Sequence, residues 1–424
     1  MATKMDEKVK IVAGKLEKSK LREKRVIDMG NKDIIQEFDS HVAGSYGRLP
    51  ISLAKGAEGE TVDADGKEYI DFGSGIGVNS LGFCDSEWVE AVTKQVATLQ
   101  HTSNYYYTGV QADFAAELCA ITGYEKVFFG NSGAEANECA MKVARKYSFD
   151  KYGKGRGTII TLVNSFHGRT METLAATGQD VFHNFFFPFP EGFKYVPAND
   201  PAALADAIDD TVCAIMIEYI QGEGGVNVLS QEFVDAVFQI AEEKDILVIA
   251  DEVQSGVGRT GKFLAGEHFG KKADIVSLAK GIAGGLPMGA CLMNGKTAGV
   301  LTPGTHGSTF GGNPVVCAGG RVVLKRMQEP GFLDGVAEKA AYIRERLEAM
   351  PGVVSTSGIG LMIGITLADY PDGTKRDALK LKEQALEKGL LVLTAKEKLR
   401  LLPPLTLTGE EIDKGLDILA GILA

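Results

Sequence analysis

The chain has 424 residues, 45% of them hydrophobic and 24% charged, and a formal net charge of −11. That length supports a large core and points to two domains, and the acidic balance argues against nucleic acid as the main partner. No apolar run reaches membrane-spanning length, and the start lacks a signal peptide's apolar core; the six cysteines form no C-x-x-C pair, and the six histidines show no metal spacing. The expectation is a cytoplasmic protein with reduced thiols and no metal site.

Residues 1–40 read as a charged arm, dense in both signs (KLEKSKLREKR, 15–25), and Asp6, Glu7, Glu17 and Glu23 count against an acidic-poor transit peptide. The folded body starts near Ser45-Tyr46-Gly47-Arg48-Leu49-Pro50. An Asp65-Gly66 turn between Thr61-Val62 and Tyr69-Ile70-Asp71-Phe72 predicts a β-hairpin. The run Gly73-Ser74-Gly75-Ile76-Gly77 has the wrong spacing for a dinucleotide fingerprint, and no helical pattern opens from it.

Helical apolar spacing covers Ser86–Leu99 and Val110–Ile121. A short strand at Val127-Phe128-Phe129 then delivers Gly130-Asn131-Ser132-Gly133-Ala134 into a helix. A strand that runs through small residues into a helix N-terminus presents free N–H groups and a positive dipole end, which suits a phosphate; a plain turn capped by Ser132 is the alternative. Thr158–Leu162 is a further strand, ending near Phe166-His167-Gly168-Arg169, where the Phe is suited to stack on a ring and the Arg to take a carboxylate. Another strand, Ala214–Tyr219, ends at Glu218 and precedes the glycine-flanked Glu223, and a helix over Gln231–Lys244 follows. This alternation of strands and helices predicts an α/β sheet with mainly parallel strands.

The central stretch is ILVIADEVQSGVGRTGKFLAGEHFGKKADIVSLAKGIAGG, 246–285. Two apolar runs stop at Asp251 and just before Lys280, and ligands of parallel α/β sheets gather beyond such strand ends. A carboxylate and an amine there suit pyridoxal phosphate. A desolvated Lys can form a Schiff base with the aldehyde, and an acid facing the ring nitrogen makes the ring an electron sink. Alone, such a pair is far more often a helix cap and a solvated amine; the neighbouring segments decide. Beyond it, Thr305–Pro314 is a loop of glycines and small hydroxyls, including Ser308 and Thr309. A long helix follows from Val315, then a helix over 333–350, strands near 360–367 and 390–393, and a closing helix from Glu410. In LRLLPP, Arg400 sits in an apolar strand and needs a carboxylate partner.

From about Tyr46 to the C-terminus, the segments VFFGNSGAEANE, SFHGRT, EYIQGEGGV, ADEVQSGVGRTG, LAKGIAGG, THGSTFGGNP and LRLLPPL stand in the order and spacing of the class III, fold-type I aminotransferases. The chain resembles that family. The resemblance implies a large pyridoxal-phosphate domain with a mainly parallel sheet over 91–315, and a smaller α+β domain from 41–90 and 316–424.

It implies Lys280 as the Schiff-base lysine and proton shuttle. Cofactor contacts are implied at Ser132, Gly133 and Ala134 (phosphate), Phe166, Asp251 (ring nitrogen), Glu252, Val253, Gln254 and Thr309, the last reaching the cofactor of the other subunit of a homodimer. Substrate contacts are implied at Tyr46, Arg169, Glu223, Ser308 and Arg400, with Glu223 neutralising Arg400 when the amino donor is bound. The implied reaction moves the terminal amine of N-acetylornithine or a close acyl-diamine to 2-oxoglutarate, with ornithine and 4-aminobutyrate as alternative donors. Two features depart from the family: Tyr219 replaces the usual Pro, which is expected to alter the pocket rim, and the N-terminal arm is longer.

Overall fold

The computed structural model describes residues 29–424, so most of the charged arm lies outside the described residues. The chain divides into two compact units, one from the residues up to Gly56 together with Glu60–Tyr69, the other from Ala57–Gly59 and Ile70–Ala424. The first holds a helix over Asn31–His41 and the expected turn. There Asp63 donates its N–H to Lys67 O at 3.0 Å, and Gly66 takes a φ of +87° that a residue with a Cβ would resist.

Residues 91–315 and 316–424 both fall within the second unit. Its centre is a seven-stranded sheet of β1 (Lys126–Gly130), β2 (Thr158–Leu162), β3 (Phe193–Val196), β4 (Val212–Ile217), β5 (Leu247–Asp251), β6 (Ile275–Leu278) and β7 (Gly289–Met293). The spatial order is β1-β7-β6-β5-β4-β2-β3; β7 pairs antiparallel with both its neighbours, and the other pairings are parallel.

The apolar runs read from the sequence are buried on both faces because side chains alternate along a strand. Leu247 and Ile249 pack with Ala140, Met141 and Ala144 of helix α1 (Gly133–Tyr152). Val248 and Ala250 join the opposite cluster, with Phe233, Val234 and Val237 of helix α2 (Gln231–Lys244). Each fully buried Leu, Ile, Val or Phe contributes about 1.5–3 kcal/mol, so the sheet rigidly fixes its strand ends.

After helix α3 (Pro314–Met327), the chain builds a four-stranded antiparallel sheet from β8 (Val353–Ser357), β9 (Ile363–Leu367), β10 (Leu393–Ala395) and β11 (Lys398–Leu401), in the order β8-β9-β11-β10. Arg400 sits in β11, paired with Gly364 of β9. The segment 73–77 is a tight turn, with φ of 62° at Gly75 and 68° at Ile76, and the next helix begins only at Ser86.

The same alternation corrects two expectations. Where Glu218 and Asp251 face the carboxyl-end cleft, the residues after them turn away from it. Tyr219 does not sit on a pocket rim: it is 1% exposed and stacks on Phe269 at 5.1 Å. The Glu252 side chain, expected at the cofactor, instead accepts the N–H groups of Ala265 at 2.5 Å and Gly266 at 2.9 Å. It ties the loop after β5 to the following turn.

Burial pushes the Glu252 carboxyl up from 4.5 to about 7, against the pull of those backbone donors. A raised acid favours the protonated fold, so this contribution is intact below pH 4.5 and is lost as pH rises through about 7. Thermal or urea unfolding should show wild-type stability falling over that window, by up to about 3 kcal/mol for a shift of this size. In the Glu252→Gln chain that component of the pH dependence should be missing.

Candidate active site

Parallel register sets Asp251 of β5 beside Ser277 of β6, so Lys280, three residues on, emerges at the same edge of the sheet. Both line a cavity of about 410 Å³ with Ser132, Phe166, Glu218 and Gln254. That volume lies within the usual range for cofactor and substrate pockets.

Asp251 is held from three sides. Its Oδ2 accepts from Asn137 Nδ2 at 2.8 Å and from His167 Nδ1 at 2.7 Å, and its Oδ1 accepts the Val253 N–H at 3.0 Å. Asn137 and His167 are buried, so these bonds form in a dry environment where they fix one carboxylate orientation. Lys280 is half-buried, and its backbone has a φ of +47°. Burial lowers its ammonium pKa and the Arg400 charge adds to that, while Glu223, Asp251 and Glu218 pull the other way. The result favours a neutral, nucleophilic amine.

β1 runs into α1 through Ser132, whose hydroxyl caps the helix by accepting the Glu135 N–H at 3.2 Å. Glu135 turns back to accept the Asn131 N–H at 2.6 Å, which shapes the turn. A Cβ on Gly133 would lie 2.7 Å from Val253 Cγ1, so only glycine lets this helix start approach the loop after β5. The cleft therefore offers a helix N-terminus for a phosphate, a fixed carboxylate for a ring nitrogen and an amine for an aldehyde. That donor set fits pyridoxal phosphate, with Phe166 and Val253 as apolar walls.

Glu223 and Arg400 form a second centre beside Gln254. Arg400 Nη1 donates to Glu223 Oε1 at 2.6 Å and to Gln254 Oε1 at 3.1 Å, and its Nη2 donates to Glu223 Oε2 at 3.3 Å. Burial alone would raise Glu223, but the Arg400 charge and its hydrogen bond outweigh that and hold the carboxyl below its ordinary range. Arg400 is only 3% exposed. Its partner is the one a buried guanidinium needs.

The remaining expected residues lie outside the cavity lining. Arg169 is exposed, its guanidinium 4.3 Å from the Phe182 ring centroid and 5.4 Å from that of Phe166, and among the described residues no carboxylate pairs with it. Ser308 Oγ accepts from Asn131 Nδ2 at 3.2 Å, next to the helix-start loop, and Thr309 is exposed. Tyr46 belongs to the other compact unit, where it is exposed and close to Arg48.

Three site residues had no role in the sequence reading: Asn137, His167 and Glu218. Glu218 is buried, lines the cavity and accepts the Phe166 N–H at 3.0 Å. Burial, and then the Asp251 charge, push its carboxyl well above the ordinary range. Its position at the end of a strand was the available signal.

Residues 42–423 match the family described as Aminotransferase class-III. The acetylornithine aminotransferase of Haemophilus ducreyi is 50% identical over 394 residues, 92% of this chain and 99% of that protein. The acetylornithine aminotransferase of Caldanaerobacter subterraneus subsp. tengcongensis is 48% identical, over 91% and 97%. Among solved structures, ornithine aminotransferase from Toxoplasma gondii ME49 superposes with a TM-score of 0.88 at 30% identity, covering 93% of this chain and 95% of that one. N-acetylornithine aminotransferase from Stenotrophomonas maltophilia K279a gives 0.78 at 32% identity, over 91% and 97%. The acid, the amine and the helix start thus sit in a chain of matching sequence and fold, and the protein belongs to the class-III aminotransferases, as a fold-type I, pyridoxal-phosphate-dependent transaminase that acts on an amino donor and a keto acid.

Proposed function

We propose that the enzyme moves the terminal amino group of N-acetylornithine, or a close acyl-diamine, to 2-oxoglutarate. The products are the corresponding semialdehyde and glutamate, formed in two half-reactions of ping-pong type. The names and 48–50% identity of the relatives support this donor. The observation that carries the reading is the Glu223–Arg400 pair beside Gln254. One pocket must accept an amine donor and a dicarboxylate in turn. An arginine masked by a carboxylate for the first and released for the second meets that need.

Bound pyridoxal phosphate supplies an aldehyde to carry the amino group and a ring to spread the charge left when a proton leaves carbon. In this reading Ser132, Gly133 and Ala134 would hold its phosphate, Asp251 would keep its ring nitrogen protonated, and Gln254 would hydrogen-bond its phenolic oxygen. Lys280 Nζ, whose pKa burial lowers, would take the proton from the amine-bearing carbon and pass it to the carbon of the cofactor that carried the aldehyde. When glutamate binds, Glu223 swings away, Arg400 takes the α-carboxylate and Arg169 the distal one. Exposed Thr309 fits a homodimer in which it reaches the partner's cofactor, Ser308 would lie near the substrate, and reduced thiols fit a cytoplasmic enzyme.

Replacing Lys280 by Ala should lower turnover by about 10³-fold or more and abolish the visible absorbance of lysine-held cofactor; an undiminished rate refutes the assignment. Across a panel of donors with 2-oxoglutarate, N-acetylornithine should give the highest kcat/KM, and a clear preference for 4-aminobutyrate would overturn the choice. Glu223→Gln removes a charge-assisted bond of about 1.5–3 kcal/mol and leaves Arg400 unmasked. The kcat/KM for N-acetylornithine should fall roughly 10–100-fold, and that for glutamate much less.

A further inference from the structure

The loop that follows β5 carries more than the cofactor residues. After Asp251, Val253 and Gln254 it reaches Arg259, a fully enclosed arginine, 2% exposed, which the function above does not use. Its Nη1 donates to Leu361 O at 3.3 Å and to Pro403 O. Its own carbonyl accepts the Leu361 N–H at 2.9 Å, so side chain and backbone grip the same residue. A Cβ on Gly360 would lie 2.5 Å from Thr260 Cα, which marks how closely the two segments meet.

Both carbonyls flank the strand of Arg400. Leu361 leads into β9, whose Gly364 pairs with Arg400, and Pro403 lies three residues beyond Arg400, just past the end of β11. The exit from β11 is also secured elsewhere: the Leu402 N–H reaches Phe72 O at 2.8 Å, Ser74 Oγ reaches Leu402 O at 2.5 Å, and the Leu405 N–H reaches Ser80 O at 2.8 Å. These bonds anchor the segment to the turn near residues 72–80. Arg259 joins it to the loop bearing Asp251 and Gln254, beside the direct bond from Arg400 Nη1 to Gln254 Oε1. Burial draws the Arg259 pKa down to about 9, the nearby Asp71 carboxylate opposes that, and the group is still a cation at neutral pH.

We propose that Arg259 is a positioning residue for Arg400, holding the end of β11 at a fixed height above the Asp251–Gln254 loop so that the Arg400 fork meets either Glu223 or a substrate carboxylate. This rests on the reading that Arg400 binds the α-carboxylate of glutamate. The rival role is plain stabilisation of the C-terminal sheet. A guanidinium whose Nη1 donates to two backbone carbonyls, while its own carbonyl accepts the Leu361 N–H, passes a displacement of one segment on to the other. A misplacement of about 1 Å at a binding group is enough to weaken it by tenfold or more.

The test uses the holoenzyme and the chains Arg259→Met, Arg259→Lys, Arg400→Lys and the two double variants. KM and kcat are measured for glutamate, together with the dissociation constant of maleate as an unreactive dicarboxylate and the visible cofactor band. Arg259→Met should raise the glutamate KM and the maleate dissociation constant about tenfold, with a smaller change in kcat and the cofactor band retained. In the Arg400→Lys background the same substitution should change both constants less than twofold, since the group it positions is already gone. If Arg259→Met does not fold, Arg259→Lys, which keeps the charge but not the two-carbonyl span, carries the same comparison. Unchanged constants, or effects that add across the two backgrounds, overturn the proposal and leave a structural arginine. A wild-type enzyme that neither uses glutamate nor binds maleate overturns the carboxylate reading itself, and this one with it.

Discussion

Parallel pairing of Leu247–Asp251 with Ile275–Leu278 sets the geometry on which the site depends. The pairing is fixed by burial on both faces, because a slip of one residue would exchange every side chain between the two apolar clusters. With that register held, the acid at the end of one strand and the amine just past the next cannot drift apart. The helix start at Ser132 then closes on the same edge, and the missing side chain at Gly133 lets it come that near.

Charge is handled in this dry edge by pairing and by protonation. Asp251 is surrounded by donors, whereas Glu218 beside it is pushed toward its neutral form. Like charges so close in a low dielectric repel strongly, and Glu218, which has a single donor in the Phe166 N–H, is the one pushed upward. Arg400 and Glu223 show the other solution, a bidentate pair that is costly to break unless a new carboxylate arrives to replace the old one.

Much of this was legible beforehand. The strand Leu247–Asp251 stood out as a continuous apolar run, Thr158–Leu162 was readable as a strand, and the helix over Gln231–Lys244 has the bounds its spacing suggested. Asp251, Lys280 and the Ser132 turn were readable because strand ends and helix starts have local signatures. The antiparallel strand Gly289–Met293 was not, since GACLM has neither alternation nor β-branched residues, and its burial comes from neighbours far away in sequence. Nor were Tyr219 and Glu252: which way a side chain turns beyond a strand end depends on the parity of the strand. His167 and Asn137 were invisible for a similar reason, because their value lies in meeting Asp251, 84 and 114 residues further along.

Lys280 adopts a φ of +47°, a region that residues with a Cβ avoid at about 1–2 kcal/mol. Glycine would relieve that discomfort, yet it would also delete the amine. The molecule therefore keeps a small, permanent debt of conformational energy at the residue it can least replace, and any gain in heat tolerance has to be found away from this position.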